Sequence, residues 1–193
     1  ISVTLGMQAF NTTLSNGQTS GLDAIQYAAH FIQRDRAEMV LAGAVEEISS
    51  DTFRACSNGR LLAGSRPGSS EEMLPFDARR SGFLLGEGAA VFVLENLEHA
   101  TKRNATIWAE FTGYGFSFAP SPKTRLNAAA SAMETAMRSA RLPASAIGAV
   151  FANANGSISG DRLEGEALQT VLPDCPVTSI KSVLGESYSA AGA

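Results

Sequence analysis

Five short runs of apolar residues recur along the chain, and segments with helical periodicity separate them. The apolar runs occupy residues 39–45, 89–94, 107–111, 147–152 and 177–180. Continuous apolar character over so few residues is typical of a strand covered on both faces, as in a parallel sheet. Helical patterns occur at residues 22–34, 97–103, 128–141 and 162–171. Strands that alternate with helices predict an α/β fold.

The remaining segments indicate how the domain is organised. The helical pattern at residues 22–34 is apolar on nearly every side, which predicts a helix packed between two layers. The longest irregular stretch, residues 57–81, is interpreted as a surface excursion within one domain because apolar runs resume on both sides of it. A second loop at residues 117–124 contains two prolines and could separate two halves. A chain of 193 residues is long enough to bury a core as a single domain.

Composition argues against several classes of function. The net charge of −4 and the lack of a basic run argue against nucleic-acid binding. No apolar run approaches the ~18 residues of a membrane helix. Without a signal-like start, Cys56 and Cys175 predict reduced thiols in a cytoplasmic protein. Because His30 and His99 lie at no metal-ligand spacing, and Gly86-Glu87-Gly88 lacks the last glycine of a dinucleotide fingerprint, we expect neither metal nor cofactor.

Residues 12–24 have the pattern of a strand, a tight turn and a helix. This arrangement places Gln18 at the N-terminus of the helix, where backbone N–H groups and the helix dipole favour an anion such as a thiolate. The local structure is therefore suited to a nucleophilic side chain. A glutamine amide is not such a nucleophile.

Three segments, taken in order and spacing, resemble the β-ketoacyl synthases of fatty-acid and polyketide assembly. They are the turn at Gln18, residues 75–89 and residues 179–193, and the resemblance extends over essentially the whole chain. It implies a thiolase-like fold, with two related α/β halves in a layered αβαβα arrangement. Residues 1–193 would then comprise the late part of the N-terminal half, up to about residue 115, and most of the C-terminal half. We expect both ends of the complete fold to be missing.

The family uses a cysteine that carries the acyl group and two histidines that assist decarboxylation and stabilise an oxyanion. The resemblance places Gln18 at the cysteine position. Asn155, within Asn153-Ala154-Asn155-Gly156-Ser157, stands at the first histidine position, and Glu186 stands at the second. All three catalytic positions are therefore substituted. Asn155 can still donate a hydrogen bond, whereas an ionised Glu186 would only accept one and would repel an oxyanion.

Supporting residues of the family site are retained. Asp161 and Glu164 match its acidic positions, and Lys181 matches its lysine, although the loop at residues 157–160 is shortened. We predict that Lys181 pairs with Glu164, with Glu186 or with both, which would convert the former site into a structural polar network. The alternative is that these charges are solvated.

With glutamine at the cysteine position, the chain resembles the chain-length factor. That factor is the catalytically degenerate subunit that pairs with an active ketosynthase and shapes the tunnel for the growing chain. The resemblance implies two partners, an active ketosynthase in a heterodimer and an acyl carrier protein. It also implies that the strand before the turn lies at the dimer interface, although a core strand is an equal alternative. The candidate interface residues are Phe10, Asn11, Thr12, Thr13, Leu14 and Ser15.

Three other functions remain open at this point. A malonyl decarboxylase of the loading-domain type also carries glutamine, but those domains keep both histidines. A scaffold that only binds a carrier protein is a second alternative. An active condensing enzyme would need a displaced cysteine, and neither Cys56 nor Cys175 lies at the turn.

Overall fold

A computed structural model describes residues 3–4, 6–7 and 9–193 of the chain. Helices and strands alternate through much of it, as the apolar pattern predicts. The helices are α1 (Ser20–Gln33), α2 (Ser50–Asn58), α3 (Leu97–Lys102), α4 (Arg125–Ala140), α5 (Ile158–Val171) and α6 (Lys181–Leu184). The strands are β1 (Met39–Glu46), β2 (Gly88–Glu95), β3 (Val150–Phe151) and β4 (Val177–Thr178). Short 3₁₀ turns occur at Gly17–Thr19, Pro122–Thr124, Ala144–Ala146 and Tyr188–Gly192.

The first sheet consists of β1 and β2, which pair along their full length. The pair is antiparallel, with Met39 opposite Glu95 and Glu46 opposite Gly88. The expectation of parallel pairing for these two runs is wrong, because apolar character reports burial and not strand direction. Helix α1 packs against β1. Ala42 of the sheet is buried, whereas Val45 and Val91 are exposed.

The second sheet is small and parallel. Val150 pairs with Val177 and Phe151 with Thr178, and α5 forms the connection between the two strands. The predicted strands at residues 147–152 and 177–180 are therefore confirmed in a shortened form. The run at residues 107–111 forms no strand in the described part of the chain, so that prediction is wrong.

Two further local predictions need correction. The segment from Phe10 to Ser15 is not a strand, and most of it is exposed, which excludes the alternative of a core strand. Helix α2 was not predicted from sequence, although Ser49 caps it by accepting a hydrogen bond from the Thr52 backbone N–H. Polar residues dominate this helix, so apolar periodicity gave no signal for it.

Among the described residues, buried side chains form two small hydrophobic clusters. The first joins Cys56, Met73 and Phe83, with Tyr188 packed against them. The second joins Ala152, Ala154 and Leu168, between the small sheet and α5. Both cysteines are free thiols; Cys56 is buried as predicted, whereas Cys175 is only half-buried. None of the helices in the described ranges combines the length and apolar character needed to span a bilayer.

Candidate functional site

The turn that carries Gln18 lies immediately before α1, as the sequence predicts. Gly17 adopts φ of +68°, in the left-handed region that favours glycine. Asp23, in the first turn of α1, holds the turn by accepting hydrogen bonds of 2.9 Å from Asn16 Nδ2 and of 2.9 Å from Thr19 Oγ1. Gln18 itself is exposed, and the turn packs against the 3₁₀ segment Tyr188–Gly192. This turn at Gly17–Thr19, which we call the elbow, is therefore a neighbour of the segment that follows Glu186.

Glu186 and Lys181 form a buried ion pair. The Glu186 residue is 0% exposed and Lys181 is 3% exposed. Lys181 Nζ donates to Glu186 Oε2 at 2.9 Å and to Oε1 at 3.1 Å. The predicted pairing of Lys181 with Glu186 is thus present, and the alternative that these two charges are solvated is wrong.

Two asparagines and a backbone N–H complete the ion pair. Asn155 Nδ2 donates to Glu186 Oε2 at 2.7 Å, and the backbone N–H of Tyr188 donates to Oε1 at 3.0 Å. Lys181 Nζ also donates to Asn153 Oδ1 at 2.6 Å. Each carboxylate oxygen therefore accepts two hydrogen bonds, and a charge buried in this way is tolerated because it is both paired and hydrogen-bonded.

Asp161 anchors the loops around this pair. The Asp161 residue is 1% exposed. Its carboxylate accepts a hydrogen bond of 2.8 Å from the Phe76 backbone N–H and one of 3.0 Å from the Asn155 backbone N–H. The backbone N–H of Gly156 lies 3.2 Å from one oxygen and 3.1 Å from the other. Arg80 Nε is 4.0 Å from Asp161 Oδ2. Asp161 therefore ties the irregular segment before β2 to the loop that holds Asn155.

Glu164 is close to the pair but does not form an ion pair with Lys181. Its Oε1 accepts a hydrogen bond of 2.8 Å from the Asn153 backbone N–H. Burial raises the pKa of Glu164, and hydrogen bonds from the backbone of Asn153 and Ala154 act in the opposite direction. Of the two partners predicted for Lys181, the structure selects Glu186.

Strand topology explains why these side chains meet. Asn153 and Asn155 follow β3, and Lys181 follows β4. Because β3 and β4 are parallel, their carboxyl ends lie at the same edge of the sheet, where functional residues of α/β proteins commonly gather. Glu186 joins them through a β-bridge, in which its N–H donates to the Leu84 carbonyl at 2.8 Å and its carbonyl accepts from the Gly86 N–H at 3.0 Å.

Sequence reasoning missed three groups that complete the site. Asn153 was noted only as part of a motif, yet its side chain accepts from Lys181. Its place after a predicted parallel strand, opposite Lys181, could have identified it. The backbone N–H of Phe76 also donates to Asp161, and that of Tyr188 donates to Glu186. A pattern of side chains in the sequence does not predict such backbone donors.

The candidate interface residues lie on the surface beside α1. The Phe10 ring stacks on that of Phe31 with centroids 4.1 Å apart, and Tyr27 meets Phe10 edge-on at 6.4 Å. Thr12, Thr13 and the other residues of the set follow along the chain to the elbow.

The chemistry of these side chains can be read residue by residue. The glutamine at the elbow cannot form a thioester, and the buried polar positions hold a carboxylate, an ammonium and amides whose hydrogen-bonding groups are engaged with one another. In the described residues, no group of three or more His, Cys, Asp or Glu side chains could hold a metal ion.

Comparison with known proteins gives a consistent result along the chain. The model of the N-terminal domain of β-ketoacyl synthases matches residues 1–100, and that of the C-terminal domain matches residues 108–193. The chain is 35% identical to the tetracenomycin polyketide synthase ketoacyl synthase alpha subunit of Streptomyces glaucescens, covering 94% of this chain and 45% of that protein. The chain spans about half the length of the curated relatives it matches.

Solved structures agree. One match is a chain in the structure of a type II polyketide synthase acyl carrier protein in complex with its ketosynthase bound to the hexaketide. That chain matches with a TM-score of 0.89 and 28% identity, over 100% of this chain and 50% of that one. The ishigamide ketosynthase/chain length factor matches with a TM-score of 0.85 and 30% identity, over 93% of this chain and 44% of that one. The predicted α/β, thiolase-like fold is confirmed, and the chain belongs to the β-ketoacyl synthase family.

Proposed function

We propose that the protein is a chain-length-factor-like subunit, which performs no condensation itself and pairs with an active ketosynthase in polyketide, aryl-polyene or fatty-acid-like synthesis. The observation that carries the proposal is the closed ion pair of Lys181 and Glu186. It stands where the family's second histidine would stabilise an oxyanion. A carboxylate at that position repels the charge that the reaction develops.

The relative from Streptomyces glaucescens is named as a ketosynthase alpha subunit, so the proposal depends on the residues of this chain rather than on the names of its relatives. Gln18 removes the nucleophile, Asn155 replaces a proton-transfer group with an amide, and Glu186 replaces a hydrogen-bond donor with an acceptor. Each change alone would impair condensation. Together they support a subunit whose contribution is to bind and shape rather than to react.

The same geometry disfavours a malonyl decarboxylase. Gln18 is exposed, and Asn155, the nearest analogue of an imidazole donor, gives its side-chain N–H to Glu186. Decarboxylation needs donors directed at a developing enolate oxygen. The donors of this cluster are directed at a carboxylate already present in the protein.

Reconstitution with a ketosynthase partner tests the proposal. The protein is combined with the partner and with malonyl-loaded and acyl-loaded carrier protein, and product formation and carbon dioxide release are followed. We expect product from the pair, and product formation that persists when Gln18→Ala is introduced into this subunit. The matched control replaces the partner's nucleophilic cysteine with alanine, which should abolish product. Carbon dioxide release by this protein alone, lost with Gln18→Ala, would establish the decarboxylase instead.

The interface part of the proposal needs its own variant. Thr12 is exposed within the candidate interface segment, so Thr12→Arg should weaken the heterodimer by placing a bulky charge there. Ser131→Arg, on an exposed position of α4, makes the same change elsewhere and should leave association unaltered. Equal association constants for both variants would contradict the assignment of residues 10–15 to the interface.

A further inference from the structure

The backbone of Tyr188 is strained. Among the described residues, six other than glycine adopt a positive φ. Four of them lie just beyond the end of a helix, where this conformation is an ordinary way to terminate the helix: Asp35, Arg60, Asn104 and Arg141. Helix ends do not account for Phe76, at +60°, or for Tyr188, at +37°. A bulky residue keeps such a conformation only where its surroundings enforce it, and strain of this kind is concentrated at functional sites.

Contacts of both the backbone and the side chain of Tyr188 enforce the strain. Its backbone N–H donates to Glu186 Oε1 at 3.0 Å, and its hydroxyl lies 3.0 Å from Cys56 Sγ. The ring meets Phe83 edge-on, with centroids 6.2 Å apart and an interplanar angle of 85°. Burial raises the pKa of Tyr188, and the contact with Cys56 raises it further, so the hydroxyl stays protonated at neutral pH. One residue thus connects the buried ion pair to the hydrophobic cluster that contains Cys56.

The residues that follow Tyr188 connect it to the elbow. Ser189 Oγ lies 2.7 Å from Glu46 Oε2, and a Cβ added at Gly21 would lie 2.5 Å from the Ser189 carbonyl oxygen. Helix α1 therefore approaches this backbone as closely as glycine allows, immediately after the elbow. The 3₁₀ segment Tyr188–Gly192 packs on the elbow itself. A change in the backbone of Tyr188 would therefore displace the surface on which the elbow packs.

We propose that Tyr188 is a conformational latch for residues 187–192, closed in this structure. In the open arrangement φ of Tyr188 returns to negative values, its N–H leaves Glu186 and its hydroxyl leaves Cys56. Relief of the strain offsets part of the loss of these contacts, so opening costs less free energy than global unfolding.

Opening of the latch has two consequences. It loosens the contact between residues 188–192 and the elbow, and it admits solvent to the Cys56 thiol. A ligand that needs room beside the elbow would bind the open arrangement and shift the population towards it. The latch requires no partner subunit and is independent of the proposed function.

Labelling of the Cys56 thiol under native conditions tests the latch, because this residue is 3% exposed in the closed arrangement. Cys175→Ser removes the other thiol of the chain and gives the parent protein for the experiment. The probe is an aromatic disulfide reagent that releases a coloured thiolate, and peptide mass spectrometry assigns the label to Cys56. We expect labelling at low urea concentration to proceed through local opening, with a rate that depends much less on urea than global unfolding does.

Tyr188→Phe, made in the parent protein, keeps the ring and removes the hydroxyl contact with Cys56. Labelling should become about fivefold faster, because one lost hydrogen bond shifts the opening equilibrium by about that factor. The weak urea dependence should persist, which distinguishes easier local opening from general destabilisation. The matched control is Tyr114→Phe, which removes a hydroxyl between two glycines that pack on α4 and should label at the parent rate.

A Cys56 thiol that reacts only as the parent protein unfolds, with the full urea dependence of global unfolding, would overturn the proposal. Equal labelling rates for Tyr188→Phe and Tyr114→Phe would also overturn it, because the hydroxyl of Tyr188 would then hold nothing closed. Circular dichroism of each variant identifies any that fail to fold. If Tyr188→Phe is among them, the urea dependence of labelling in the parent protein remains the test.

Discussion

At Glu186 a carboxylate is fully removed from solvent, and its stability depends on the ammonium of Lys181. Burial of either charge alone is strongly unfavourable, so the two residues are interdependent. If Glu186 stands at the family's second histidine position, as we propose, this interdependence explains how a carboxylate is tolerated there. The retained lysine supplies the counter-charge.

Replacing Glu186 by glutamine should therefore be strongly destabilising. The variant leaves Lys181 buried without a counter-charge and turns an amide N–H towards another donor, at a cost of about 3–5 kcal/mol in the free energy of unfolding. Urea denaturation of the variant and the unaltered protein measures this difference. Glu166→Gln, which removes the carboxylate of an exposed pair with Arg162, is the matched control and should have little effect. Similar losses for both would contradict the buried ion pair.

Glu164 gives a second prediction at the residue scale. Burial raises its pKa above the ordinary value of 4.5, so the folded protein favours the protonated form. That contribution to stability is fully present below pH 4.5 and is lost as the pH rises through the raised pKa. Glu164→Gln, which cannot ionise, should gain stability relative to the unaltered protein as the pH increases above 4.5. A stability difference that is constant with pH would show that the raised pKa is wrong.

The sequence predicted that Lys181 pairs with a carboxylate, but not which of the two candidates it would choose. The assignment of Gln18, Asn155 and Glu186 to the family's catalytic positions stays a prediction from the motifs. Whether Lys181 turns to Glu164 or to Glu186 depends on the bridge between Glu186 and residues 84–86, which joins segments about 100 residues apart in sequence. A local sequence pattern does not predict which distant segments come into contact.

At the scale of elements, close backbone approach decides where the site can form. A Cβ at Gly86 would lie 2.1 Å from the Leu184 carbonyl oxygen, directly beside the bridge that positions Glu186. The glycine is required here for space and not for a positive φ.

Gly86→Ala should accordingly destabilise the protein by about 1–3 kcal/mol, because backbone must move to admit the methyl group. Thermal unfolding of this variant is compared with that of Gly148→Ala, whose added Cβ would meet nothing within 4 Å. The melting temperature should fall for the first and change little for the second. A tolerated alanine at Gly86 would mean that the bridge to Glu186 is looser than the structure indicates.

Element type was easier to predict than element pairing. The runs at residues 39–45 and 89–94 are strands, yet they are antiparallel, and apolar composition alone does not specify the direction of a strand. The run at residues 107–111 is also mainly apolar, although it contains Glu110, and it forms no strand. Strand formation also requires a neighbouring strand that supplies backbone hydrogen bonds.

At the scale of the whole molecule, residues 186–192 join the two halves. Cys56 Sγ lies 3.0 Å from the Tyr188 hydroxyl, and Ser189 Oγ donates to Glu46 Oε2 at 2.7 Å. The elbow of Gln18 packs on the same segment. The paired Glu186 is thus built into the contact between the two halves.

The most direct measurement asks which subunit carries the acyl group. The heterodimer is incubated with acyl-loaded and malonyl-loaded carrier protein, quenched with acid, and both subunits are digested and analysed by mass spectrometry. Our account predicts an acyl thioester on the ketosynthase partner and none on this protein, since Gln18 cannot form one. A covalent acyl group on any residue of this chain would contradict the assignment of a non-catalytic subunit.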